Sequence, residues 1–192
     1  MPLFPAFIDL KDKEILVVGG GTVATRKVEK LLPFGGKLTV VAPEVSEKLK
    51  YLARKGKIKL KRRRFLTGDL KNKSLVVVAT DDVKLQERIF KLCNKKGILC
   101  NSVDNPEFCN FVFPALVVRG DLVIGITTSG KAPALSKEVR ILIEKALPEG
   151  IEEILNTLYE KRKKLPKGSK RQKYLTKLAK KLLEEKLSTR TE

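Results

Sequence analysis

The chain predicts an α/β fold, a doubly wound parallel sheet followed by a β-hairpin and helix region and a small C-terminal helical domain. Three observations carry this expectation. Apolar strand-like runs alternate with helix-compatible segments through about residue 112, the pattern of a parallel sheet covered on both faces. The run Ile15-Leu-Val-Val18 breaks at Gly19-Gly20-Gly21 and passes directly into a helical segment from Thr22. From Pro133 onward the pattern is entirely helical.

The elements follow in order. After the glycine turn, Val23, Val28, Leu31 and Leu32 give a helical apolar period, and the helix runs to about Pro33. Gly35-Gly36 lead into a second strand over residues 37–42, after which Pro43 and Glu44 open a helix rich in Lys and Glu. Residues 57–65 alternate charged and apolar side chains, as an edge strand does. Leu75-Val-Val-Val-Ala79 is uninterruptedly apolar and reads as a buried parallel strand. It ends in Thr80-Asp81-Asp82, where Asp82 suits the N-cap of a helix reaching Lys95. A short fifth strand occupies residues 98–100.

Residues 114–128 then read as two strands joined at Arg119-Gly120-Asp121, an antiparallel hairpin. A two-stranded ribbon is marginal alone, so a second copy of the same ribbon is the expected partner. One helix reaches about Leu147 and stops at Pro148 and Gly150; another runs from Ile151 to the break at Pro166-Lys-Gly168. A last helix ends near Leu187, and residues 188–192 are expected to fray. The domain reading is 1–112 for the sheet, 113–147 for a dimerisation region and 148–192 for a helical domain.

The glycine turn points to chemistry. A buried strand feeding through glycines into a helix N-terminus is the local geometry that holds a dinucleotide pyrophosphate, so residues 1–112 are read as Rossmann-like. Gly19 serves the tight turn, Gly21 the approach of the phosphates, and Ala24 the position of the third glycine, where helix packs on strand. Main-chain N–H groups around Gly21, Thr22 and Val23 are the expected phosphate donors. The usual acidic residue at the end of the second strand is displaced: Val41-Ala42-Pro43 stands there, with Glu44 slightly late. The residue types therefore admit NADP as well as NAD.

Composition narrows the reaction. Histidine is absent (His 0), which removes the commonest general base and metal ligand together, so no protein-held metal is expected. The net charge of +19 from 41 Lys and Arg against 22 Asp and Glu favours an anionic ligand, although abundant Lys and Glu fit a heat-adapted surface equally well. Cys93, Cys100 and Cys109 form no CxxC pair and read as reduced thiols. The start, Met-Pro-Leu-Phe-Pro-Ala-Phe, lacks the features of a signal peptide, and no apolar run is long enough to span a bilayer. A cytoplasmic location without membrane contact is expected.

The second informative stretch is Asn101-Ser-Val-Asp-Asn-Pro-Glu-Phe-Cys-Asn-Phe-Val-Phe-Pro114, at the carboxyl edge of the sheet, where open α/β folds bind ligands. Asn101, Asp104, Asn105, Glu107 and Asn110 supply polar groups, and Phe108, Phe111 and Phe113 an apolar wall. Such a wall beside a carboxylate can tune it as an acid or base. A polar turn, with Asp104 bonding its own backbone ahead of Pro106, accounts for the same residues.

Several motifs in order resemble the precorrin-2 dehydrogenase family, which supplies the dehydrogenase and ferrochelatase module of sirohaem synthases. They are Pro2-Leu-Phe-Pro-Ala-Phe-Ile-Asp-Leu10, Val-Val-Gly-Gly-Gly-Thr-Val-Ala-Thr-Arg-Lys27, Ala79-Thr-Asp-Asp82, Asn101-Ser-Val-Asp104, Cys109-Asn-Phe-Val-Phe-Pro-Ala115 and Thr127-Thr-Ser-Gly-Lys-Ala-Pro-Ala-Leu135. The resemblance runs to about residue 147. It implies NAD-dependent oxidation of precorrin-2 to sirohydrochlorin in sirohaem biosynthesis, with Fe2+ insertion as well in some members, so that Fe2+ is a transient partner there. It implies a homodimer interlocked through residues 112–147. The family's functional aspartate falls on Asp104, taken as catalytic. Substrate-binding positions fall on Asn101, Thr127, Thr128 and Ser129. Cofactor contacts fall on Thr22, Val23, Pro43 and Glu44; with Gly19, Gly21, Ala24, Thr80 and Asp81 they complete the cofactor-binding set. The substrate is a tetrapyrrole with eight carboxylates, which a cationic protein attracts without any role for nucleic acid.

Two rival readings fit less well. Tyr159-Glu-Lys-Arg-Lys163 has the Tyr-xxx-Lys spacing of short-chain dehydrogenases, but Ala146 stands where they carry serine and the tyrosine lies in a basic helix, so it reads as a surface residue. A non-enzymatic NAD-sensing or nucleic-acid-binding regulator would use Lys161-Arg-Lys-Lys164 and residues 167–173 on phosphates. Against it, no helix-turn-helix or zinc motif appears, and aromatics barely interleave with the basic residues.

Overall fold

The computed structural model describes residues 2–188; the expected fraying at residues 189–192 lies outside them. Two compact units divide the chain: Ala6–Phe113 forms one, and the chain from Pro114 onward, with the N-terminal residues up to Pro5, forms the other. Among the described residues no helix is long and apolar enough to cross a membrane.

The Ala6–Phe113 unit is a five-stranded sheet of β1 (Glu14–Val18), β2 (Lys37–Val41), β3 (Lys59–Lys61), β4 (Leu75–Val78) and β5 (Leu99–Ser102), with α1 (Thr22–Leu31), α2 (Glu47–Arg54) and α3 (Val83–Lys95) as its helices. All pairings are parallel, in the order β3-β2-β1-β4-β5. The chain therefore winds outward one way from β1 to β3 and the other way from β4 to β5. That reversal opens a crevice at the carboxyl ends of β1 and β4, the position where this class of sheet binds ligands.

The central strands are apolar on both faces because both are covered. Ile15, Val17, Leu38, Val40 and Val77 pack with Ala24, Val28 and Leu31 of α1 and Leu49 of α2. Leu16, Val18, Val76, Val78 and Cys100 pack with Leu70 and with Ile89 and Cys93 of α3. Burial of each such Val, Leu or Ile contributes roughly 1.5–3 kcal/mol.

Three boundaries differ from the sequence expectation. The helix after β2 begins at Glu47, not at Pro43 and Glu44, because the Ser46 hydroxyl accepts the Leu49 N–H (3.3 Å) and caps it there. The edge strand is confined to Lys59–Lys61, paired with Thr39–Val41; beyond it the chain turns so that Lys61 and Arg63 converge on Asp69. β5 extends to Ser102, because Val77 and Val78 of β4 offer ladder partners to Asn101 and Ser102. Asp82 caps α3 as expected, accepting the Leu85 N–H (3.0 Å).

In the other unit, β6 (Ala115–Arg119) and β7 (Leu122–Ile126) form the hairpin, in register from Ala115↔Ile126 to Arg119↔Leu122. Gly120 takes φ +55 in its two-residue loop, a conformation glycine adopts at no steric cost. Then come α4 (Pro133–Ala146), α5 (Ile151–Lys164) and α6 (Ser169–Ser188). Arg119 and Arg140 both pair with Glu144, tying the hairpin to α4. Lys186 near the end of α6 reaches Glu153 at the start of α5 (3.0 Å), so these two helices run antiparallel. Tyr159 is exposed, with Lys163 Nζ 4.2 Å from its ring centroid.

Asp69 shows what pins the sheet edge. Its buried carboxylate accepts two bonds from Arg63 (2.6 and 2.8 Å), one from Lys61 (3.0 Å) and one from the Leu66 N–H (3.0 Å). The Arg63 guanidinium, helped by the Leu66 N–H and Lys61, holds this carboxyl well below the usual carboxylate range. A depressed folded-state pKa adds stability above the unfolded value, and this is lost as pH falls through the folded one. Asp69→Asn should lower unfolding stability by about 1–3 kcal/mol at pH 7. That difference should narrow as the pH drops below ~4. Urea unfolding at both pH values measures it, and a pH-independent difference would show that the ion pair is not its source.

Candidate active site

The glycines after β1 divide the work between crowding and openness. Gly19 sits at φ +120, and a Cβ there would lie 2.0 Å from the Ala79 carbonyl oxygen at the end of β4. At Gly20 a Cβ would lie 2.0 Å from the Glu44 carbonyl oxygen, beyond the end of β2. Its own carbonyl accepts the Ser46 N–H (2.8 Å). Sequence reading gave Gly20 no role; the signal for it lies in a loop distant along the chain. Gly21 is different. It caps α1 in extended conformation (φ −79, ψ −166), and beyond its immediate chain neighbours nothing lies within 4 Å of where its Cβ would be.

This leaves the start of α1 open. No side chain caps the helix, and the first-turn N–H groups of a helix have no intrahelical acceptor. The N–H groups of Thr22 and Val23, both exposed, stand at the positive end of the helix dipole, a cradle suited to pyrophosphate. Ala24 is fully buried against the sheet. Thr25 Oγ1 donates to the Gly21 carbonyl (2.9 Å) and meets Ser46 Oγ at 2.8 Å, bracing the turn from behind. Pro43 and Glu44 are exposed after β2, and Thr80, half-buried, and Asp81, exposed, follow β4. The nine residues expected to bind cofactor thus stand at one edge of the sheet, around its topological switch point. Their backbone cradle and open Gly21 fit a dinucleotide.

The loop after β5 is tied down by main-chain bonds, among them the Asn110 and Phe111 N–H groups to the Cys100 carbonyl (3.0 and 3.3 Å), and by a set of side-chain bonds. Asn110 Oδ1 accepts the Cys100 N–H (2.6 Å), and its Nδ2 donates to the Ile98 carbonyl (3.1 Å). Asn101 Nδ2 donates to the Phe111 carbonyl (3.0 Å). The Cys109 sulfur accepts the Ser102 N–H (3.3 Å) and lies 3.2 Å from the Ser102 carbonyl and 3.3 Å from that of Asn105. Burial pushes this thiol upward from its ordinary pKa. Asn105 donates to Gln86 of α3. Asn110 and Asn105 therefore hold the loop, a role that residue type alone does not separate from ligand binding. Asn101 Oδ1 is buried without a hydrogen-bond partner among the described residues, an acceptor left available in the site.

Held this way, Asp104 stands exposed at φ +64, in the left-handed region that Asp tolerates better than most residues. The expected aromatic wall is split. Phe108 packs on Phe90 of α3 (6.0 Å between centroids), whereas Phe111 and Phe113 meet edge to face (5.0 Å). Asp104 shares an open cleft of ≈ 520 Å³ with Val103 and with Val23, Arg26, Lys27, Glu29 and Lys30 of α1. Val23 also belongs to the cofactor cradle, so cradle and carboxylate border one groove. The three cations were missed from sequence. Their signal was the helical spacing 23, 26, 27, 30, obscured by the abundance of Lys and Arg elsewhere.

Thr127, Thr128 and Ser129 belong to the other unit. Thr128 Oγ1 accepts the Ala132 N–H (3.0 Å) and bonds Ser136 Oγ (3.2 Å), anchoring the start of α4. Thr127 Oγ1 accepts the Ser129 N–H (3.1 Å), Ser129 Oγ accepts the Leu3 N–H (3.2 Å), and Ser129 lies at φ +53. Among the described residues no three His, Cys, Asp or Glu side chains cluster to hold a metal ion.

An all-parallel sheet with an open helix N-terminus at its switch point defines a dinucleotide-binding domain, and residues 6–115 match the family model described as putative NAD(P)-binding. The solved structure of SirC, a precorrin-2 dehydrogenase, superposes with a TM-score of 0.76 at 32% identity, over 92% of this chain and 89% of that one. The siroheme synthase of Nitrosococcus oceani is 37% identical over 149 residues, 78% of this chain and 32% of its own length. That of Pseudoalteromonas atlantica is 40% identical over 151 residues, 79% of this chain and 33% of its own. The chain spans about a third of the length of these synthases. It belongs to the precorrin-2 dehydrogenase family.

Gly21 offers a clean test of the cradle. Its φ is negative and its surroundings are empty, and Asp is a favoured N-cap, so Gly21→Asp should fold with unchanged or raised thermal stability. A carboxylate where pyrophosphate approaches should weaken NAD binding by roughly 100-fold or more, ~2.7 kcal/mol. Calorimetric titration reads this, and undiminished affinity in the folded variant would remove the cradle from the site.

Proposed function

We propose that this protein oxidises precorrin-2 to sirohydrochlorin with NAD, a step of sirohaem biosynthesis. The observation that carries the reading is the single groove bordered by the cofactor cradle and Asp104. Family membership supports it, as does a chain with net charge +19 facing a substrate with eight carboxylates.

Bound NAD supplies the electron sink at its nicotinamide ring. The protein's own residues do the rest. The turn at Gly19, Gly21, Thr22, Val23 and Ala24, with Pro43, Glu44, Thr80 and Asp81, fixes the cofactor. Asn101, Thr127, Thr128 and Ser129 are assigned to the substrate. As oxidation removes a hydride and a proton from the substrate, Asp104 accepts the proton and, being exposed, returns it to solvent. Orientation is the main contribution of such a site, and proton transfer adds about 10²–10⁴-fold.

Residues 1–112 make up the NAD-binding domain in this reading, 113–147 the dimerisation region and 148–192 the helical domain. A homodimer is supported by apolar surface on the middle region, where Val118, Leu135 and Leu142 are 40%, 56% and 65% exposed. A cytoplasmic location belongs to the same proposal.

Anaerobic incubation with precorrin-2 and NAD, followed by absorbance, should show sirohydrochlorin and NADH appearing together; no NADH would overturn the reading. Fe2+ added to the product tests chelation separately. Asp104→Ala should lower kcat by about 10²–10⁴-fold, ~3–5 kcal/mol, with NAD affinity retained. Near-normal turnover would show that solvent alone takes the proton. Light scattering at micromolar concentration should return a dimer, and a monomer would count against the assigned interface.

A further inference from the structure

One cation in the groove is held in place before any ligand arrives. Val23, Arg26, Lys27 and Lys30 recur at helical spacing and form the α1 wall of the cleft that Asp104 borders. Arg26 and Lys30 are exposed, but Lys27 is half-buried. Its Nζ lies 4.1 Å from the centroid of the Phe113 ring, which stands edge to face on Phe111. Phe111 in turn accepts the Asn101 side-chain amide through its carbonyl. A rigid wall thus fixes an ammonium that would otherwise sample many rotamers.

The groove is short of counter-charge, with the carboxylates of Asp104 and Glu29 against the cations Arg26, Lys27 and Lys30. Among the described residues none of Arg26, Lys27 and Lys30 forms an ion pair. Glu29, the other carboxylate on this wall, pairs with Lys48. Burial, with Lys30 nearby, draws the Lys27 ammonium below its ordinary pKa, against the opposing pull of Cys109 and Asp104. A half-buried, unpaired cation gains more from an arriving anion than a fully hydrated one does.

We propose that Lys27 is a substrate-positioning residue: braced on Phe113, its ammonium takes one peripheral carboxylate of the tetrapyrrole and sets the macrocycle beside Asp104. Arg26 and Lys30 flank it as secondary cations. The inference rests on the functional reading above and deepens it. Lys27 combines an aromatic brace and partial burial with the absence of an ion-pair partner among the described residues, so it is both ordered and uncommitted, and little rotamer freedom is lost on binding. The alternative anion on this wall is the cofactor's pyrophosphate, and the two separate by experiment.

The test compares Lys27→Met, Lys27→Gln and Lys27→Arg with Lys180→Met, a surface control on α6. Loss of a charged hydrogen bond should raise KM for precorrin-2 about tenfold or more in the Met and Gln variants. Their kcat should change less than about threefold, KM for NAD should stay at the wild-type value, and the salt dependence of KM for precorrin-2 should flatten. Lys27→Arg should recover most of the loss. Equilibrium titration with sirohydrochlorin should show the same ranking without turnover. An unchanged KM for precorrin-2 in both neutral variants, or a rise confined to NAD, would overturn the assignment. Wild-type protein that binds sirohydrochlorin through Lys27 yet oxidises no precorrin-2 would overturn the functional reading and leave the Lys27 contact standing.

Discussion

Everything in the candidate site depends on how closely three strand ends approach one another. The backbone after β1 runs against the carbonyl of Ala79 on one side and that of Glu44 on the other, with room for no more than a hydrogen at Gly19 and Gly20. This contact draws the carboxyl ends of β1, β2 and β4 to one point and aims the first turn of α1 at the crevice between them. Larger side chains there would force the strands apart, and the cradle would lose its geometry along with the packing beneath it. Binding geometry and core packing are thus one constraint in this half of the chain.

The loop after β5 meets the converse problem, holding an exposed carboxylate steady. Polar side chains do so by bonding main-chain groups: Asn110 to residues 98 and 100, Asn101 to residue 111, and the Cys109 sulfur to residues 102 and 105. The cost is a left-handed backbone at Asp104, of order 1–3 kcal/mol where the surroundings enforce it. Ser129 in the other unit adopts the same conformation, as do Asp12 and Asn72 in turns.

Much of the fold was legible because it is encoded locally. Unbroken apolar runs gave β1 and β4, glycines marked the turn to α1 and the entry to β2, and Asp82 announced α3. Boundaries set by distant partners were not. The start of α2 depends on Ser46, and the end of β3 depends on Asp69, which draws Arg63, two residues past the strand, to its carboxylate. At the site the pattern is similar. Asp104 and the glycine turn stood out as residue types in a motif. The role of Gly20 and the seat of Lys27 on Phe113 are contacts between segments far apart in sequence, invisible until the chain is folded.

Gly21 carries a further consequence. As an N-cap it concedes only a few tenths of a kcal/mol to Ser or Asp, and in exchange the helix start stays vacant for an anion. A dinucleotide that binds the folded domain alone, at a concentration 100 times its Kd, returns about 2.7 kcal/mol, several times what was conceded. Resistance of this domain to heat and to proteases should then follow the supply of its cofactor, so that nucleotide abundance governs how long the protein lasts as well as how fast it works.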